Sequence, residues 1–501
     1  MNLKKIRITL AAVVMTLITL LFLDFTGTLH HFLGWLAKIQ FLPAVLVLNV
    51  VVVIALVALT LVFGRIYCSV LCPLGIFQDL MASLRRKKNR YSYSPELRRL
   101  RYGMLVLFVI AMTAGVGAFV ALLAPYSSYG RMVQNLLQPV WIAGNNLLAG
   151  VAEHYDSYAF YRVDVWIRSL PTFIIAATSF LFVSVLALRG GRTYCNTICP
   201  VGTVLSFFAR FSWLKICFDE QHCRKCGKCS RNCKASCIDY KTMTVDYSRC
   251  VVCGNCLEQC AFDSLHYKHP KSASPLQKSE DDPSSATPAA PADPSRRHFL
   301  LGIAMASTAV VVAQKEKKVD GGLAAIEDKA EPHRRQPVTP PGSCSAKNMQ
   351  QRCTACQLCV SECPNGVLVP STALLTLMQP AMSYVRGYCR PECHRCSEVC
   401  PTGAIKPITL AEKSSTQIGH AVLVRPNCVP LTDGVECGNC ARHCPVGAIT
   451  MVPSDPDDDL SPSVPTVDET RCIGCGACEH LCPARPFPAI YVEGHEVHRE
   501  I

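Results

Sequence analysis

Cysteine spacing constrains this chain more than any other feature of its sequence. The 501 residues include 31 cysteines, and most lie in blocks of the form Cys-x2-Cys-x2-Cys-x3-Cys. Three closely spaced cysteines wrap one face of a [4Fe-4S] cluster, while the fourth reaches a second cluster. A structural zinc site usually takes two separated cysteine pairs instead. The pattern therefore predicts bound iron–sulfur clusters and not a disulfide scaffold.

The first two blocks lie in residues 217–267 and predict a module for two clusters. One ligand set is Cys223, Cys226, Cys229 and Cys260, and the other is Cys250, Cys253, Cys256 and Cys233. Cys217 and Cys237 are left over from this pattern.

Four more blocks follow Cys344 and predict four further clusters, which makes six in the chain. The blocks are Cys353, Cys356, Cys359 and Cys363; Cys389, Cys393, Cys396 and Cys400; Cys428, Cys437, Cys440 and Cys444; and Cys472, Cys475, Cys478 and Cys482. Spacers of 25 to 27 residues separate them evenly. The even spacing leaves open whether neighbouring blocks pair or the outer two pair around the inner two. The chain has no Cys-x2-Cys-His motif, so c-type haem is excluded.

The N-terminal part of the chain reads as a membrane domain. Half of the sequence is hydrophobic, and apolar runs predict helices at 8–23, 41–63, 103–124 and 173–188. Nine Lys and Arg lie between the second and third helices, from Arg65 to Arg101, but only three lie in 125–172. The positive-inside rule then places the 64–102 loop in the cytoplasm and the 125–172 loop outside.

An internal repeat marks the cytoplasmic ends of the second and fourth helices. Residues 64–75 and 191–202 match at seven of twelve positions, and each contains Cys-x3-Cys-Pro. The cysteines are Cys68, Cys72, Cys195 and Cys199. If the motifs are helical, the two cysteines of each pair share a face. They are candidate redox-active dithiols, or four ligands that handle a metal or pass electrons; the alternative is packing at a helix end that the proline stops.

Residues 295–313 resemble a twin-arginine export signal. Arg296 and Arg297 precede an apolar run of fifteen residues, from Phe299 to Ala313, which is short for a spanning helix and suits a signal. Residues 268–294 and 314–342 read as linkers, rich in Pro, Ser and charge. The predicted domains are a membrane domain (1–210), a cluster module (211–267) and a second cluster domain (343–501). We expect the signal to be retained as a fifth membrane helix.

The net charge of +13 does not indicate a nucleic-acid partner. Many basic residues lie between membrane helices, where they set topology. Six clusters would add about −12 once the thiolates are counted against the metal–sulfide cores. Basic patches interleaved with aromatic residues, as in nucleic-acid binders, are absent from the sequence.

These motifs resemble two known families. Residues 1–267 resemble the NapH family of membrane ferredoxins, which has four helices, two Cys-x3-Cys-Pro motifs and a cytoplasmic two-cluster module; the NosR and CcoG families are related. Residues 295–501 resemble the NapG/MauM family of exported ferredoxins, through the signal, the Pro340-Pro341-Gly342 sequence and the four blocks. The chain looks like a natural fusion of the two. The resemblance implies an α-helical membrane domain with two α+β bacterial-ferredoxin-like domains.

Two functions remain open from the sequence. The first is a quinol dehydrogenase subunit in the bacterial inner membrane, which takes electrons from the quinone pool to a periplasmic redox partner. The second is an assembly factor that reduces a metal or cysteine of a partner metalloenzyme. Both place the two-cluster module in the cytoplasm and the four-cluster domain in the periplasm, after export by the twin-arginine machinery. His30 and His31 could line a quinone site, although interfacial packing is the preferred interpretation.

Overall fold

The computed structural model describes residues 3–84, 91–157, 160–269, 330–458 and 461–501. The predicted twin-arginine signal at 295–313 lies outside the described residues, as do most of the two predicted linkers.

The helical domain comprises residues 3–213. Its helices are Leu3–Leu23, Thr28–Leu33, Trp35–Lys38, Phe41–Leu46, Val50–Phe63, Tyr67–Val70, Pro73–Ser83, Arg98–Thr113, Gly117–Leu123, Pro125–Met132, Gln138–His154, Leu170–Gly190, Thr193–Thr197 and Pro200–Ala209, with a π-helical stretch at Val133–Leu137. Two of the described helices, Leu3–Leu23 and Leu170–Gly190, are long and apolar enough to cross a membrane.

Two of the predicted spans are interrupted. The second is broken at residues 47–49, where the Asn49 side chain accepts a hydrogen bond from the Val52 amide and starts a new helix. The third is broken at residues 114–116, where Gly115 has a φ of 75°. A left-handed residue ends a helix, and glycine adopts that conformation without steric cost. The apolar pattern is continuous across both breaks, so it did not reveal them.

The N-terminal cysteine module comprises residues 215–269 and is built from short elements. Strand β1 (Lys215–Phe218) pairs antiparallel with β4 (Leu265–Lys268), and β2 (Ile238–Asp239) pairs with β3 (Thr244–Val245). Lys228–Arg231 and Asn255–Glu258 form single helical turns. The buried core of the module is made in equal parts of cysteine and aliphatic side chains.

The C-terminal cysteine domain comprises residues 330–501 and contains three two-stranded antiparallel sheets. The strand pairs are β5 (Leu368–Pro370) with β6 (Pro380–Met382), β7 (Thr416–Leu423) with β10 (Ile490–Glu500), and β8 (Ile449–Pro453) with β9 (Ser463–Val467). The helices are Ala346–Arg352, Leu358–Ser361, Arg395–Val399, Leu410–Ser415, Val429–Thr432, Asn439–Arg442 and Ala477–His480, with a 3-10 turn at Arg425–Asn427.

The second predicted linker ends earlier than the sequence indicated. Residues 330–342 already belong to the C-terminal cysteine domain: Val338 is buried, and its carbonyl accepts a hydrogen bond of 2.9 Å from the Met382 amide. Pro340 and Pro341 line a cavity of the same domain. The proline and charge content of this segment suggested a flexible tether, but its few apolar side chains pack into the core of the C-terminal cysteine domain.

The helical domain lies between the two cysteine-rich parts. At one end Gly64 contacts Val252 of the N-terminal cysteine module. At the other end the Gln350 side chain donates a hydrogen bond of 3.0 Å to the Gly115 carbonyl. The first two C-terminal blocks share their hydrophobic core with the helical domain, whereas the last two form a core of their own.

Candidate metal centres

The cysteine loops turn around their second cysteine with a recurrent backbone conformation. The residue before that cysteine has a positive φ, 48° at Lys225, 51° at Val252, 50° at Ala355 and 75° at Gly474. Residues with a side chain rarely adopt this conformation, so its recurrence is imposed by the surrounding loop. Successive amides in such turns form concavities that bind anionic groups, iron–sulfur centres among them. The backbone therefore fits a negatively charged cluster held by thiolates.

The structure brings together both predicted ligand sets of the N-terminal cysteine module. Set 1, which is Cys223, Cys226, Cys229 and Cys260, lines one small cavity. In set 2, Cys253 and Cys256 each interact electrostatically with Cys250 and Cys233. The leftover Cys237 lies next to set 2, with its Sγ 3.5 Å from the Cys233 Sγ.

In the C-terminal cysteine domain, neighbouring blocks exchange their fourth cysteines. Set 3 is Cys353, Cys356, Cys359 and Cys400; set 4 is Cys389, Cys393, Cys396 and Cys363; set 5 is Cys472, Cys475, Cys478 and Cys444; and set 6 is Cys428, Cys437, Cys440 and Cys482. The alternative that the sequence left open, in which the outer blocks pair around the inner ones, does not occur in the structure.

Burial makes some of these thiols, Cys356 and Cys475 among them, poor as free nucleophiles. It raises the pKa of the Cys356 thiol to about 12, and that of Cys475 also to about 12. A thiol in such surroundings ionises only when a cation compensates the charge, and iron does so when a cluster is bound. Amides also point at the sulfurs: Ala355 N lies 3.4 Å from the Cys353 Sγ, and Ala448 N lies 3.2 Å from the Cys444 Sγ. Such hydrogen bonds tune cluster potentials.

Contacts between the sets define a linear order. Set 1 meets set 2 where Cys229 interacts with Cys256. Set 3 meets set 4 through Cys359 and Cys396, set 4 meets set 5 through Cys389 and Cys475, and set 5 meets set 6 through Cys478 and Cys440. The order from the helical domain outward is therefore 3, 4, 5 and 6.

The Cys-x3-Cys-Pro motifs are not continuous helices. Cys68 lies in the short helix Tyr67–Val70, but Cys72 has an extended backbone, since the following proline disfavours the helical conformation. Pro73 then occupies the first position of the next helix. Cys195 and Cys199 repeat this arrangement at the other motif. The condition under which the two cysteines of a pair would share a helical face is therefore not met.

The two motifs nevertheless bring all four of their cysteines together. Each of the four side chains is 3% exposed, and each thiol interacts electrostatically with the other three. We call Cys68, Cys72, Cys195 and Cys199 the central cysteines.

Two arginines cross between the motifs and tie them together. Arg65 Nη2 donates to the Cys195 carbonyl at 3.2 Å, and Arg192 Nη1 donates to the Cys68 carbonyl at 2.6 Å. The glycine that ends each motif makes room for the crossing: a Cβ on Gly75 would clash with Arg192, and one on Gly202 with Arg65. Arginine and glycine both recur at matching positions of the repeat. This recurrence was the sequence signal that could have indicated that the two motifs pack against each other.

A buried acid that no sequence pattern indicated anchors one of these arginines. Asp79 receives two hydrogen bonds from Arg192, at 3.0 and 2.8 Å, and a third from Arg7 at 2.8 Å. Arg65, in contrast, is fully buried and has no carboxylate partner among the described residues; it contacts the Asn196 side chain and the Ser248 carbonyl.

A cleft of about 880 Å³ opens between the helical domain and the C-terminal cysteine domain. Gln138, Trp166 and Phe173 line it from the helical domain, and Cys363 of set 4 lines it from the opposite side. The Arg386 guanidinium lies 4.3 Å from the centre of the Trp166 ring. The sequence offered no signal for this cleft, since its walls come from distant segments.

His30 and His31 do not line this cleft. His30 is buried against Gly34, and its amide donates to Asp24. His31 is exposed and contacts the Phe32 ring edge-on, with centroids 5.2 Å apart. These positions favour the packing interpretation.

Comparisons with known proteins agree with this site chemistry. A family model described as "4Fe-4S binding domain" matches residues 45–91 and 172–216, and one described as "4Fe-4S dicluster domain" matches residues 435–485. No solved structure matches the chain significantly.

Several curated relatives are ferredoxin-type proteins. The methylamine utilization ferredoxin-type protein MauM of Methylobacillus flagellatus is 36% identical over 154 residues, which are 29% of this chain and 63% of MauM. MauN of the same organism, also named a methylamine utilization ferredoxin-type protein, is 26% identical over 34% of this chain and 48% of its own length. The ferredoxin-type protein NapF of Escherichia coli is 28% identical over 32% of this chain and 87% of its own length. The chain thus spans less than two thirds of MauM and about half of MauN. It is a protein with ferredoxin-type 4Fe-4S domains.

Proposed function

We propose that this protein is a membrane-bound electron carrier that oxidises quinol and delivers the electrons to a redox protein in the periplasm. The observation that carries the proposal is the linear order of sets 3 to 6, which begins at the helical domain and ends at the far side of the C-terminal cysteine domain. Six [4Fe-4S] clusters, one for each set, would supply the one-electron steps.

The cleft beside Cys363 is the best candidate for the quinol site. It combines aromatic walls from Trp166 and Phe173 with polar groups such as Gln138 and Arg168. Sites for small molecules are typically lined by apolar and aromatic side chains, with a few polar groups that orient the ligand. Arg168 interacts electrostatically with Cys363 and Cys359, so a ring bound here would lie next to sets 3 and 4. Oxidation of one quinol releases two electrons and two protons; the electrons would enter the clusters singly, and the protons would leave through the open side of the cleft.

The membrane location rests on the two long apolar helices and on the distribution of basic residues. Arg98, Arg101 and Arg210 gather at the end of the helical domain that contacts the N-terminal cysteine module, around Glu96. This excess of positive charge supports a cytoplasmic position for that end. The opposite end, with the C-terminal cysteine domain, would then face the periplasm after export by the twin-arginine machinery.

Quinol-dependent reduction of the clusters tests this function. We expect a reduced quinol analogue, added to the full-length protein in detergent, to produce the paramagnetic signals of reduced clusters within seconds. Trp166→Ala should slow this reduction at least tenfold, whereas Trp141→Ala, on the exposed outer surface and not in the cleft, should leave it unchanged. Clusters that dithionite reduces but quinol does not would reject the proposal.

A second candidate function is reduction of a partner metalloenzyme during its assembly. The observation that favours it is the group of four buried central cysteines, which could cycle between dithiol and disulfide. In that case quinol would not reduce the clusters, and trapping with a partner-derived thiol would yield mixed disulfides at Cys68 or Cys195.

A further inference from the structure

We infer that the central cysteines, two from each Cys-x3-Cys-Pro motif, jointly hold one additional iron–sulfur cluster that relays electrons between set 2 and set 3. This inference rests on the proposed electron-transfer function, but its site can be tested without quinol. No single motif supplies four ligands, so the site exists only where the two halves of the repeat meet.

The charge around the central cysteines indicates an anionic ligand. Arg65 is fully buried beside Cys68, with Nη2 3.8 Å from the sulfur, and its Nε has no hydrogen-bond partner among the described residues. Arg192 is also fully buried, and its partner Asp79 is shared with Arg7 and Lys234. Three cations therefore face one carboxylate, and Arg65 is a further uncompensated charge. A cluster with four thiolates carries about −2 and would balance this excess.

Hydrogen-bond donors point at the central sulfurs as they do at the predicted cluster ligands. Gln78 Nε2 lies 3.1 Å from the Cys195 Sγ, and the Gly202 amide lies 3.4 Å from the Cys199 Sγ. In the other half of the repeat, the Gly75 amide donates to Cys72. Cys72 and Cys199 precede the helices Pro73–Ser83 and Pro200–Ala209, so two helix N-termini meet at the site. Their dipoles favour negative charge there.

The similarity of both motifs to an iron–sulfur domain favours a cluster over a single metal ion. The match to a 4Fe-4S binding domain covers residues 45–91 and 172–216, each of which contains only two central cysteines. Two half-sites of this kind complete one cluster, not two.

Direct contacts connect the central cysteines to set 2 on one side. The Arg65 guanidinium donates to the Ser248 carbonyl at 3.0 Å, two residues before Cys250. The Arg192 amide donates to the Lys234 carbonyl at 2.9 Å, next to Cys233. Both crossing arginines thus link the central cysteines to loops that carry set 2 ligands.

On the other side, the path runs through Tyr194 and Arg131. Tyr194, next to Cys195, donates from its hydroxyl to the Leu123 carbonyl at 3.3 Å and interacts electrostatically with Arg131. Arg131 Nη1 donates to the Ala355 carbonyl at 3.2 Å, adjacent to the set 3 ligand Cys356. The central cysteines therefore fill the gap in an otherwise continuous series of sets from 1 to 6.

The redox step is a single electron transfer without bond formation. The central cluster would accept one electron from a reduced set 2 cluster, which is thereby oxidised, and pass it to an oxidised set 3 cluster; transfer in the reverse direction obeys the same balance. In the experiment, dithionite supplies the electrons.

Iron content of the full-length protein tests the site. We expect the Cys68→Ser/Cys195→Ser variant to lose two to four iron atoms per chain, and with them one set of paramagnetic or Mössbauer signals, while the other clusters remain. Cys217→Ser and Cys344→Ser change cysteines outside every set and should lose none. Electron exchange between sets 2 and 3 after partial reduction with dithionite should be at least a hundredfold slower in the double variant.

Gln78→Leu provides a readout if the double variant does not accumulate. It removes the donor to Cys195 and should shift the reduction potential of one cluster while the iron content stays constant. Unchanged iron in the double variant, together with a Cys68 or Cys195 disulfide in the oxidised wild type, would overturn the inference in favour of dithiol chemistry. Quinol-dependent reduction of the other clusters is measured separately, so it tests the proposed function independently of this result.

Discussion

The Cys389 amide donates a hydrogen bond of 2.9 Å to the Cys475 carbonyl. This bond joins the two halves of the C-terminal cysteine domain through ligands of two different clusters, sets 4 and 5. Tyr384 reinforces the junction, because its buried hydroxyl donates to the Gly474 carbonyl at 2.7 Å. The halves are therefore held in register where an electron would pass between them.

The exchange of fourth cysteines between neighbouring blocks gives the first prediction. Cys353→Ala and Cys400→Ala should remove the same cluster signal, because both residues belong to set 3, and the double variant should lose no more than either single one. Cys353→Ala and Cys482→Ala should remove different signals, and their losses should add. Paramagnetic resonance of the reduced variants measures both pairs. Additive signal losses for Cys353→Ala and Cys400→Ala would contradict the assignment of both residues to set 3.

The second prediction concerns Tyr384. Tyr384→Phe removes one buried hydrogen bond and leaves the Gly474 carbonyl without its donor, a cost of about 1–2 kcal/mol. Because proteins with bound clusters seldom unfold reversibly, the suitable measurement is the rate of thermal cluster loss. We expect faster loss of sets 4 and 5, while sets 1 and 2 bleach at the wild-type rate. Tyr155→Phe, at an exposed position, is the matched control.

The third prediction follows from Arg131 at the interface between the helical domain and set 3. Its guanidinium donates to the carbonyls of Ala355 and Ala121, at 3.2 and 2.8 Å. Arg131→Met should loosen this contact, since it leaves both carbonyls unpaired, and should slow electron exchange between sets 2 and 3. Arg162→Met breaks only an exposed pair with Glu153, which contributes at most about 1 kcal/mol. Equal rates of electron exchange between sets 2 and 3 in the two variants would show that the Arg131 contact does not contribute to this exchange.

The fourth prediction is an acid sensitivity of the C-terminal cysteine domain. Burial, with His495 nearby, lowers the pKa of His498 to about 4, and its Nε2 lies 2.9 Å from the Thr339 hydroxyl. The folded domain therefore favours the neutral ring. This contribution is complete above the unfolded pKa of about 6.5 and is lost as the pH falls from there to about 4, by about 3 kcal/mol.

His498→Gln isolates this effect from the general acid lability of clusters. Its rate of cluster loss should rise less steeply than that of the wild type between pH 6.5 and 4, whereas His443→Gln, at an exposed position, should follow the wild type. If the rates of cluster loss of His498→Gln and wild type depend on pH in the same way, His498 is not the cause of the acid sensitivity.

Local spacing predicted the cluster chemistry, but not the assembly of the sets. Sets 1 and 2 follow from two adjacent blocks, because only one exchange of the fourth cysteine is available to them. Four blocks with nearly equal spacers allow several exchanges, and only tertiary packing selects the neighbouring ones. The helix break at residues 47–49 was not predicted for a similar reason, because an apolar sequence does not encode where a helix ends.

The central cysteines show the same limit of prediction from local spacing. The repeat identified Cys68, Cys72, Cys195 and Cys199, but the i, i+4 spacing suggested one helical face per pair. The following prolines instead hold Cys72 and Cys199 in an extended backbone. That the two pairs meet, with Arg65 and Arg192 crossed between them, depends on contacts over more than a hundred residues of sequence.

The last prediction is that the export signal is not removed. The small-residue ending at Val311-Val312-Ala313 is weaker than the Ala-x-Ala that signal peptidase prefers. A tether keeps the periplasmic domain near its electron source at an effective concentration of about a millimolar. The hydrogen bonds of Arg131 with Ala355 and of Gly115 with Gln350 join the helical domain to this domain and require such proximity. We therefore expect an antibody against the C-terminus to detect one membrane-bound band near 54.9 kDa. Changing Arg296 and Arg297 to Lys should leave the C-terminus inaccessible to external protease, while the same change at Arg85 and Arg86 should not. A soluble fragment of residues 314–501 as the main species would mean that the chain is cut into two working subunits.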